Sequence, residues 1–210
     1  MTAPCPPAGG APAGQLFIVS APSGAGTTSL VRALLQALPG LEKSVSYTTR
    51  SPREGEIDGV NYHFVEPVRF AEMAKEEAFI EHATVFGHSY GTAWSDVRER
   101  LARGVDVILE IDWQGARQVR RTIEGSLGIF VLPPSRAVLE QRLRGRGLDS
   151  PQVIARRLEG AVTEMARHEE YDYLVINDDF DQALAGLCAI ISAHRLTQRY
   201  QAVRLADLLH

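Results

Sequence analysis

The segment with the most recognisable chemistry is the glycine-rich stretch SAPSGAGTTSL over residues 20–30. It lies between an apolar run and leucines at helical spacing, so its backbone N–H groups point into one concavity at the positive end of a helix, where phosphates bind. In the pattern Gly-x-x-x-x-Gly-Lys-[Ser/Thr], the lysine contacts the β- and γ-phosphates and the next hydroxyl binds magnesium. Here Ala21 stands at the first glycine, Gly26 is in place, Thr27 replaces the lysine and Thr28 supplies the hydroxyl. The stretch predicts a phosphate-binding loop without its lysine; the alternative is an ordinary strand-to-helix turn with Thr28 or Ser29 as the N-cap.

Two arginines in the next segment, SVSYTTRSPREGEIDGVNYHF (44–64), form a second candidate site. Arg50 and Arg53 follow a run of hydroxyl residues and precede Tyr62, and guanidinium groups match the oxygens of a phosphate monoester. Nearby glycines and hydroxyl groups favour a bent binding segment over a plain strand. The alternative is a pair of solvated surface charges.

Three carboxylates are further candidates. Glu81 lies in an apolar context within FIEHATVFGHSYGT (79–92), and a partly buried carboxylate can accept two N–H bonds from the Watson–Crick edge of guanine, whereas adenine presents an acceptor there. In VILEIDWQG (107–115), Glu110 and Asp112 lie at the end of a predicted buried strand, which places them at the carboxyl edge of a sheet, where α/β proteins bind ligands. The alternatives are a surface salt bridge for Glu81 and a helix-capping role for Asp112.

An arginine-rich stretch covers LEQRLRGRG and VIARRLEGAVTE, on either side of a Gly-Leu-Asp-Ser-Pro hinge. A helical hairpin with glycine joints could close over phosphates and exclude water. The alternative is a solvated face whose arginines pair with Glu140 and Glu159. The arginines concerned are Arg142, Arg144, Arg146, Arg156 and Arg157.

Length and composition limit the protein class. The chain of 210 residues is long enough for one sizeable domain, and its net charge of -4 gives no overall attraction to nucleic acid or to an anionic membrane. Cys5 and Cys188 have no partner at metal-ligand spacing, so we expect a reducing, cytoplasmic compartment. Residues 1–14, mostly Pro, Ala and Gly, predict a flexible tail, and no segment has the pattern of a secretory signal or a membrane span.

Alternating apolar runs and helical patterns supply the elements that position these side chains. Four runs predict strands buried on both faces of a parallel sheet, as in an α/β fold: 16–20, 105–111, 127–132 and 172–176. A helix should begin near Thr28 and end before Pro39. Further helices are predicted at 67–76, 93–103, 114–123, 135–144, 151–170 and 181–208.

Five segments, in this order and spacing, resemble a guanylate kinase from about residue 15 onward: SVSYTTRSPREGEIDGVNYHF, FIEHATVFGHSYGT, LEIDWQG, LRGRG and EYDYLVIND. The resemblance implies the fold of a P-loop nucleoside-monophosphate kinase, with a parallel-sheet core, a GMP-binding subdomain and a helical lid. It also implies transfer of phosphate from ATP to GMP, giving ADP and GDP, with Mg²⁺. The implied core covers about 15–43, 93–134 and 165–210, the GMP-binding insertion about 44–92, and the lid about 135–164.

The resemblance also assigns site residues. The ATP phosphates would be wrapped by Ala21, Pro22, Ser23, Gly24, Ala25, Gly26, Thr27 and Thr28, with the Thr28 hydroxyl on magnesium. The GMP site would comprise Ser46, Arg50, Arg53, Tyr62, Glu81, Tyr90, Thr92, Glu110 and Asp112. Of these, the phosphate would contact Arg50, Arg53, Tyr62 and Tyr90, and the guanine would face Ser46, Glu81 and Asp112. The lid and transfer arginines would be Arg142, Arg146 and Arg157.

Thr27 departs from this resemblance, because guanylate kinases carry lysine there. Threonine cannot deliver a charge to the γ-phosphate, and losing a donor aimed at transition-state charge costs roughly 100- to 1,000-fold in rate. Lys43 and Lys75 are the only lysines of the chain. Lys43 is expected at the start of the next strand and therefore at the opposite edge of the sheet, where it would be a poor substitute. We therefore expect an impaired enzyme.

A second class of function is a non-catalytic binding module, similar to the guanylate-kinase-like domains of membrane-associated scaffolds. Such a module has no need of Thr28 together with Arg142, Arg146 and Arg157, so these residues favour the kinase. The expected ligands are ATP and GMP, without nucleic acid or membrane. The sequence leaves a homo-oligomer open.

Overall fold

A computed structural model describes residues 13–85, 87–145 and 151–202, which form a mixed α/β fold around two sheets. The strands are β1 (Leu16–Ser20), β2 (Leu41–Lys43), β3 (Tyr47–Thr48), β4 (His63–Phe64), β5 (Phe79–Val85), β6 (His88–Ala93), β7 (Asp106–Glu110), β8 (Leu127–Leu132) and β9 (Tyr173–Ile176). The helices are α1 (Thr27–Ala37), α2 (Pro67–Lys75), α3 (Trp94–Ala102), α4 (Trp113–Thr122), α5 (Arg136–Gly145), α6 (Pro151–Met165) and α7 (Phe180–Arg195), with a 3-10 helix at His168–Glu170. Residues 1–12 of the predicted tail and Arg146 of the predicted lid lie outside the described residues.

The central sheet is parallel, in the order β2-β7-β1-β8-β9. The carboxyl ends of β1 and β7 coincide to within one residue, since Val19 pairs with Glu110. Parallel strands end on one edge of their sheet, so the loop after β1 and the carboxylate that ends β7 meet there. The predicted parallel α/β core is confirmed.

Helices cover both faces of this sheet. α1 and α7 pack on the face that carries Val19 and Ile108. α3 and α4 pack on the opposite face, which carries Ile18 and Leu109. Because successive side chains of a strand point to opposite faces, Glu110 lies on the same face as Ile108, which is the face that α1 covers.

β9 differs from the prediction that its run is buried on both faces. It is an edge strand with β8 as its neighbour, and only Val175 is buried, whereas Leu174 and Ile176 are 49% and 61% exposed. An edge strand with apolar residues at most positions has the same sequence pattern as a central strand. The prediction of a strand was correct, and the prediction of full burial was wrong.

A smaller four-stranded sheet lies between β2 and α3 along the chain, in the order β4-β3-β6-β5. β5 and β6 are antiparallel and place Glu81 opposite Thr92. The helix α2 packs against this sheet through Phe70, whose ring stacks on Phe79 at 4.6 Å. Two of its strands have only two residues, which is too short to leave a recognisable alternation in the sequence.

α5 and α6 form the predicted helical pair, held by contacts among Leu139, Leu143, Ile154 and Ala161. Within the described ranges, no helix is long and apolar enough to cross a bilayer.

Two helices end earlier than predicted. The helix predicted for 151–170 ends at Met165 and is followed by the separate 3-10 helix. The helix predicted for 181–208 ends at Arg195, where the Thr197 hydroxyl donates to the His194 carbonyl oxygen at 2.8 Å. A hydroxyl that bonds a nearby backbone carbonyl competes with continuation of the helix. Residues 198–202 are helical again, and 203–208 lie outside the described residues.

Candidate active site

A cavity of about 310 Å³ opens at the carboxyl edge of the central sheet. Its lining joins the loop after β1 to the end of β7 and to the smaller sheet. The predicted site residues that line it are Ala21, Pro22, Ser23, Gly24, Ala25, Gly26, Thr27, Thr28, Ser46, Tyr62, Glu81, Tyr90, Glu110 and Asp112. Residues expected to hold two different nucleotides therefore share one cavity.

The phosphate loop, residues 21–26, owes its shape to two glycines. Gly24 and Gly26 have φ angles of 96° and 89°, in the left-handed region that side chains disfavour. Gly26 is the N-cap of α1, and no side chain caps the helix. The alternative with Thr28 or Ser29 as the N-cap is thus wrong. The first N–H groups of α1 have no partner within the helix and border the cavity, as a phosphate site requires.

Side chains from distant elements brace this loop from behind. Asn177, which follows β9, is buried, and its Nδ2 donates to the Ala25 carbonyl oxygen at 2.7 Å. Arg142 of α5 donates to the Asn177 carbonyl oxygen at 2.9 Å and lies 3.5 Å from that of Ala25. Any side chain at Gly26 would place its Cβ 2.7 Å from Asn177 Nδ2. The loop is therefore held in place before any ligand binds.

Glu110 connects the start of α1 to the end of β2. The Thr28 hydroxyl donates to Glu110 Oε1 at 2.6 Å, and Lys43 Nζ lies 2.5 Å from Glu110 Oε2. Lys43 was predicted at the opposite edge of the sheet, and that prediction is wrong. β2 has only three residues and Lys43 is its last one, so its side chain reaches the carboxyl edge.

Glu81 is buried at the side of the cavity formed by the smaller sheet. It is 3% exposed, and the Thr92 hydroxyl donates to its Oε1 at 2.7 Å. Burial raises the pKa of Glu81 to about 7. A Cβ on Gly115 of α4 would come within 2.5 Å of Oε2, so the glycine makes room for the carboxylate. The alternative of a surface salt bridge is wrong.

Asp112 serves as the N-cap of α4, because its Oδ1 accepts from the Gly115 N–H at 2.9 Å. The helix-capping alternative is therefore correct, and Asp112 also lines the cavity. Ser46 also lines the cavity, with its hydroxyl 3.4 Å from that of Thr92.

Two tyrosines and an arginine form a polar cluster on the smaller sheet. The rings of Tyr62 and Tyr90 are 5.9 Å apart, and the Arg50 guanidinium lies 5.5 Å from the Tyr62 ring centre. Arg50 donates to Glu56 at 2.8 Å, and this bond raises the pKa of Arg50 and lowers that of Glu56. Arg53 is exposed, and its backbone N–H donates to the other Glu56 oxygen at 2.7 Å. The Glu56 carboxylate thus bonds both of the predicted phosphate-binding arginines.

Glu164 of α6 is a cavity residue that the sequence reasoning missed. Its Oε2 accepts from the backbone N–H of Ser23 at 3.3 Å, and burial raises its pKa to about 7. It lies seven residues after Arg157 on the same helix, a spacing that puts both on one face. That spacing was the available signal. Arg157 itself is half-buried and is not part of the cavity lining.

Comparison with known proteins decides the family. The sequence model of the guanylate kinase family matches residues 13–194. The chain belongs to the guanylate kinase family. Curated guanylate kinases from Alkalilimnicola ehrlichii and Methylococcus capsulatus are 56% and 55% identical to it over 196 residues, which is 93% of this chain and 97% and 96% of theirs. A crystal structure of guanylate kinase from Anaplasma phagocytophilum matches with a TM-score of 0.74 at 32% identity, over 90% of both chains.

Membership of the guanylate kinase family confirms the predicted family and the P-loop nucleoside-monophosphate kinase fold. The roles of individual side chains stay predictions. Among the described residues they fall into four groups: those that line the cavity, those in contact with that lining, the half-buried Arg157 outside it, and the exposed Arg53. The residues in contact with the lining are Arg50, Thr92 and Arg142.

Proposed function

We propose that this protein transfers a phosphoryl group from ATP to GMP, giving ADP and GDP, as a step of purine nucleotide metabolism. The observation that carries the proposal is the single cavity in which the phosphate loop faces Glu81, Tyr62 and Tyr90. Phosphoryl transfer needs an attacking oxygen in line with the γ-phosphate, and catalysis consists largely of positioning and of stabilising charge. A donor site and an acceptor site that open into one cavity supply the positioning.

The base of the acceptor is read by Glu81. Its carboxylate accepts two N–H bonds from the Watson–Crick edge of guanine, while Ser46 and Asp112 border the same face of the base. Thr92 holds Glu81 by the 2.7 Å bond to Oε1, which leaves Oε2 directed to Gly115 and the cavity. Burial strengthens this recognition, because water does not compete for the carboxylate.

The phosphate of GMP is held by Arg50, Arg53, Tyr62 and Tyr90. Glu56 accepts from both arginine residues in the structure, at 2.8 Å from the Arg50 side chain and 2.7 Å from the Arg53 backbone. A phosphate dianion is the stronger acceptor for guanidinium groups, so GMP competes with Glu56 for Arg50. Burial raises the pKa of Tyr62, which keeps its hydroxyl protonated as a donor.

The donor phosphates are held by residues 21–28, with Arg142, Arg146 and Arg157 as lid and transfer arginines. Thr27 adds no charge there, so the rate should lie below that of a chain with lysine at this position. The braced loop still offers its backbone N–H groups.

Magnesium fits the donor set at the start of α1. The Thr28 hydroxyl and the Glu110 carboxylate lie 2.6 Å apart beside the phosphate loop, and magnesium prefers a few such oxygens together with substrate phosphates and water. When bound, it would neutralise charge on the phosphates. The described residues contain no group of three or more His, Cys, Asp or Glu side chains that could hold a metal without a nucleotide.

The proposed compartment, partners and subdomain limits rest on composition and on the order of segments. Two cysteines far apart in sequence suit the cytoplasm, and the net charge of -4 suits neither nucleic acid nor a membrane as partner. We assign GMP binding to about 44–92 and the lid to about 135–164, on the remaining core.

The test is release of ADP from ATP by the full chain, with GMP or AMP as acceptor. We expect turnover with GMP that is slow for a kinase, because of Thr27. A chain that binds GMP with no turnover, even as the Thr27→Lys variant, would contradict the kinase and leave the binding module.

The first mutational prediction concerns Arg50, one of the residues proposed to hold the phosphate of GMP. Arg50→Ala should weaken GMP binding by about 1.5–3 kcal/mol, the value of a hydrogen bond to a charged group. Guanosine, which has no phosphate, should bind as it does to the parent. Calorimetry measures both, and Arg69→Ala is the control, because Arg69 is an exposed arginine on α2 that pairs with Glu72. An equal loss for guanosine would show that Arg50 acts through folding.

A second prediction concerns pH. The ionised form of Glu81 accepts the guanine N–H groups, and burial raises its pKa to about 7, so guanosine affinity should fall as the pH is lowered through 7. The loss should approach about 10-fold per pH unit below that value. Glu164→Gln should keep this dependence, since Glu164 faces the phosphate loop, and Glu81→Gln should abolish it. An unchanged affinity between pH 8 and pH 6 would exclude Glu81 as the acceptor.

A further inference from the structure

Lys43 lies where its side chain can reach the donor site. It is the last residue of β2, and it shares the face of Leu41, which packs in the same core as α1. Its backbone carbonyl accepts from Arg100 Nη1 at 2.8 Å, and Arg100 is itself paired with Asp96. The backbone at this end of β2 is thereby fixed, while the four-carbon side chain of Lys43 can rotate.

A single carboxylate links Lys43 to the phosphate loop. Glu110 accepts from the Thr28 hydroxyl at 2.6 Å through one oxygen and from Lys43 Nζ at 2.5 Å through the other. The ammonium group therefore lies beside the hydroxyl that follows Thr27. The Lys43 side chain is 33% exposed, so it is not locked into the protein interior.

The cavity lining favours a cation at its border. Among the described residues that line it, four carry carboxyl groups, Glu81, Glu110, Asp112 and Glu164, and none is basic. A nucleoside triphosphate adds further negative charge to this lining. Arg142 approaches from behind the loop, where it also donates to the carbonyl oxygen of Asn177.

We infer that Lys43 supplies to the donor phosphates the positive charge that Thr27 lacks, and this inference rests on the proposed kinase function. In the structure, Glu110 holds the ammonium group next to the loop. When a nucleoside triphosphate binds, its oxygens outnumber those of the carboxylate, and the flexible side chain of Lys43 turns to them. The lysine introduced by Thr27→Lys would then neutralise the same phosphate charge as Lys43. The first would act from α1 and the second from β2.

The experiment is a cycle of four chains: the parent, Lys43→Met, Thr27→Lys and the double variant. Lys43→Met should lower kcat about 100-fold, the scale of losing a donor to transition-state charge. Thr27→Lys should raise kcat about 10-fold in the parent and about 100-fold or more in the Lys43→Met background. Lys43→Arg should retain part of the turnover. Lys75→Met, which removes the only other lysine from an exposed position on α2, should behave as the parent.

Binding gives a readout that does not depend on turnover. In calorimetry with Mg²⁺, Lys43→Met should weaken ATP more than ADP and leave the GMP dissociation constant within about 3-fold of the parent, since the lost charge faces the terminal phosphate. Equal effects of Lys43→Met and Lys75→Met on kcat and on ATP binding would overturn the inference and leave Lys43 as a structural ion pair. If no chain of the cycle turns over, the proposed function fails, and the ATP-against-ADP difference still decides on Lys43.

Discussion

GMP should bind this protein up to about 10⁴-fold more tightly than AMP, because a site built to hydrogen-bond one base leaves its polar groups unpaired with another. Glu81 is 3% exposed and held by Thr92, so water cannot satisfy it when adenine presents an acceptor. Glu81→Gln should remove most of this preference, since an amide offers one acceptor oxygen and two unwanted donors. Calorimetry with GMP and AMP at pH 8, where the parent carboxylate is ionised, measures both chains.

A stability measurement separates recognition from folding. The folded-state pKa of Glu81 is raised to about 7 by burial, so the stabilising, protonated form is lost as the pH rises through 7. At pH 8 the neutral Glu81→Gln variant should therefore melt no lower than the parent. A variant that melts normally and still prefers GMP by the parental factor would remove Glu81 from base recognition.

The central strands could be predicted from sequence because their apolar runs are long and buried on both faces. The same rule failed at β9, where Leu174 and Ile176 are exposed on an edge strand. Sheet order decides burial there, and sheet order is a long-range property. The smaller sheet was not predicted at all, since strands as short as Tyr47–Thr48 depend on their neighbours rather than on their own pattern.

The candidate site likewise contains residues that could be predicted from the sequence and residues that could not. Thr28, Glu81 and Glu110 could be placed in advance, because each belongs to a segment with a chemical pattern of its own. Lys43 and Asn177 could not, because their places beside the site depend on contacts with distant residues, Glu110 and Ala25. The error over Lys43 came from the length of β2: with three residues, its last position is already at the carboxyl edge.

Asp112 shows that one residue can have both a helix-capping position and a position in the binding cavity. It caps α4 through the Gly115 N–H and lines the cavity at the same time. The N–H bond from Gly115 that caps the start of α4 also fixes the carboxylate in the site. A capping role therefore supports a binding role here, since a fixed carboxylate loses little entropy when it meets a base.

Arg142→Met should lower kcat about 1,000-fold, the scale of an arginine that stabilises the charge of a transferring phosphoryl group. The guanidinium of Arg142 donates to the Asn177 carbonyl oxygen at 2.9 Å, directly behind the phosphate loop. It has five N–H donors in a rigid fork, so those not used by the backbone can turn to the phosphates when α5 closes on them. Arg142→Lys should not restore the rate, because a compact ammonium lacks the wide planar fork with which a guanidinium can bond the loop and the phosphates together.

The neighbouring arginine supplies the control. Arg144 lies on the same helix, 67% exposed, and pairs with Glu140, so Arg144→Met should change kcat less than about 2-fold, as expected for a surface ion pair. GMP affinity should stay at the parental value in both variants, since neither arginine touches the smaller sheet in the structure's described contacts. A loss of less than about 10-fold for Arg142→Met, with a lowered melting temperature, would instead assign Arg142 to bracing the loop through Ala25 and Asn177.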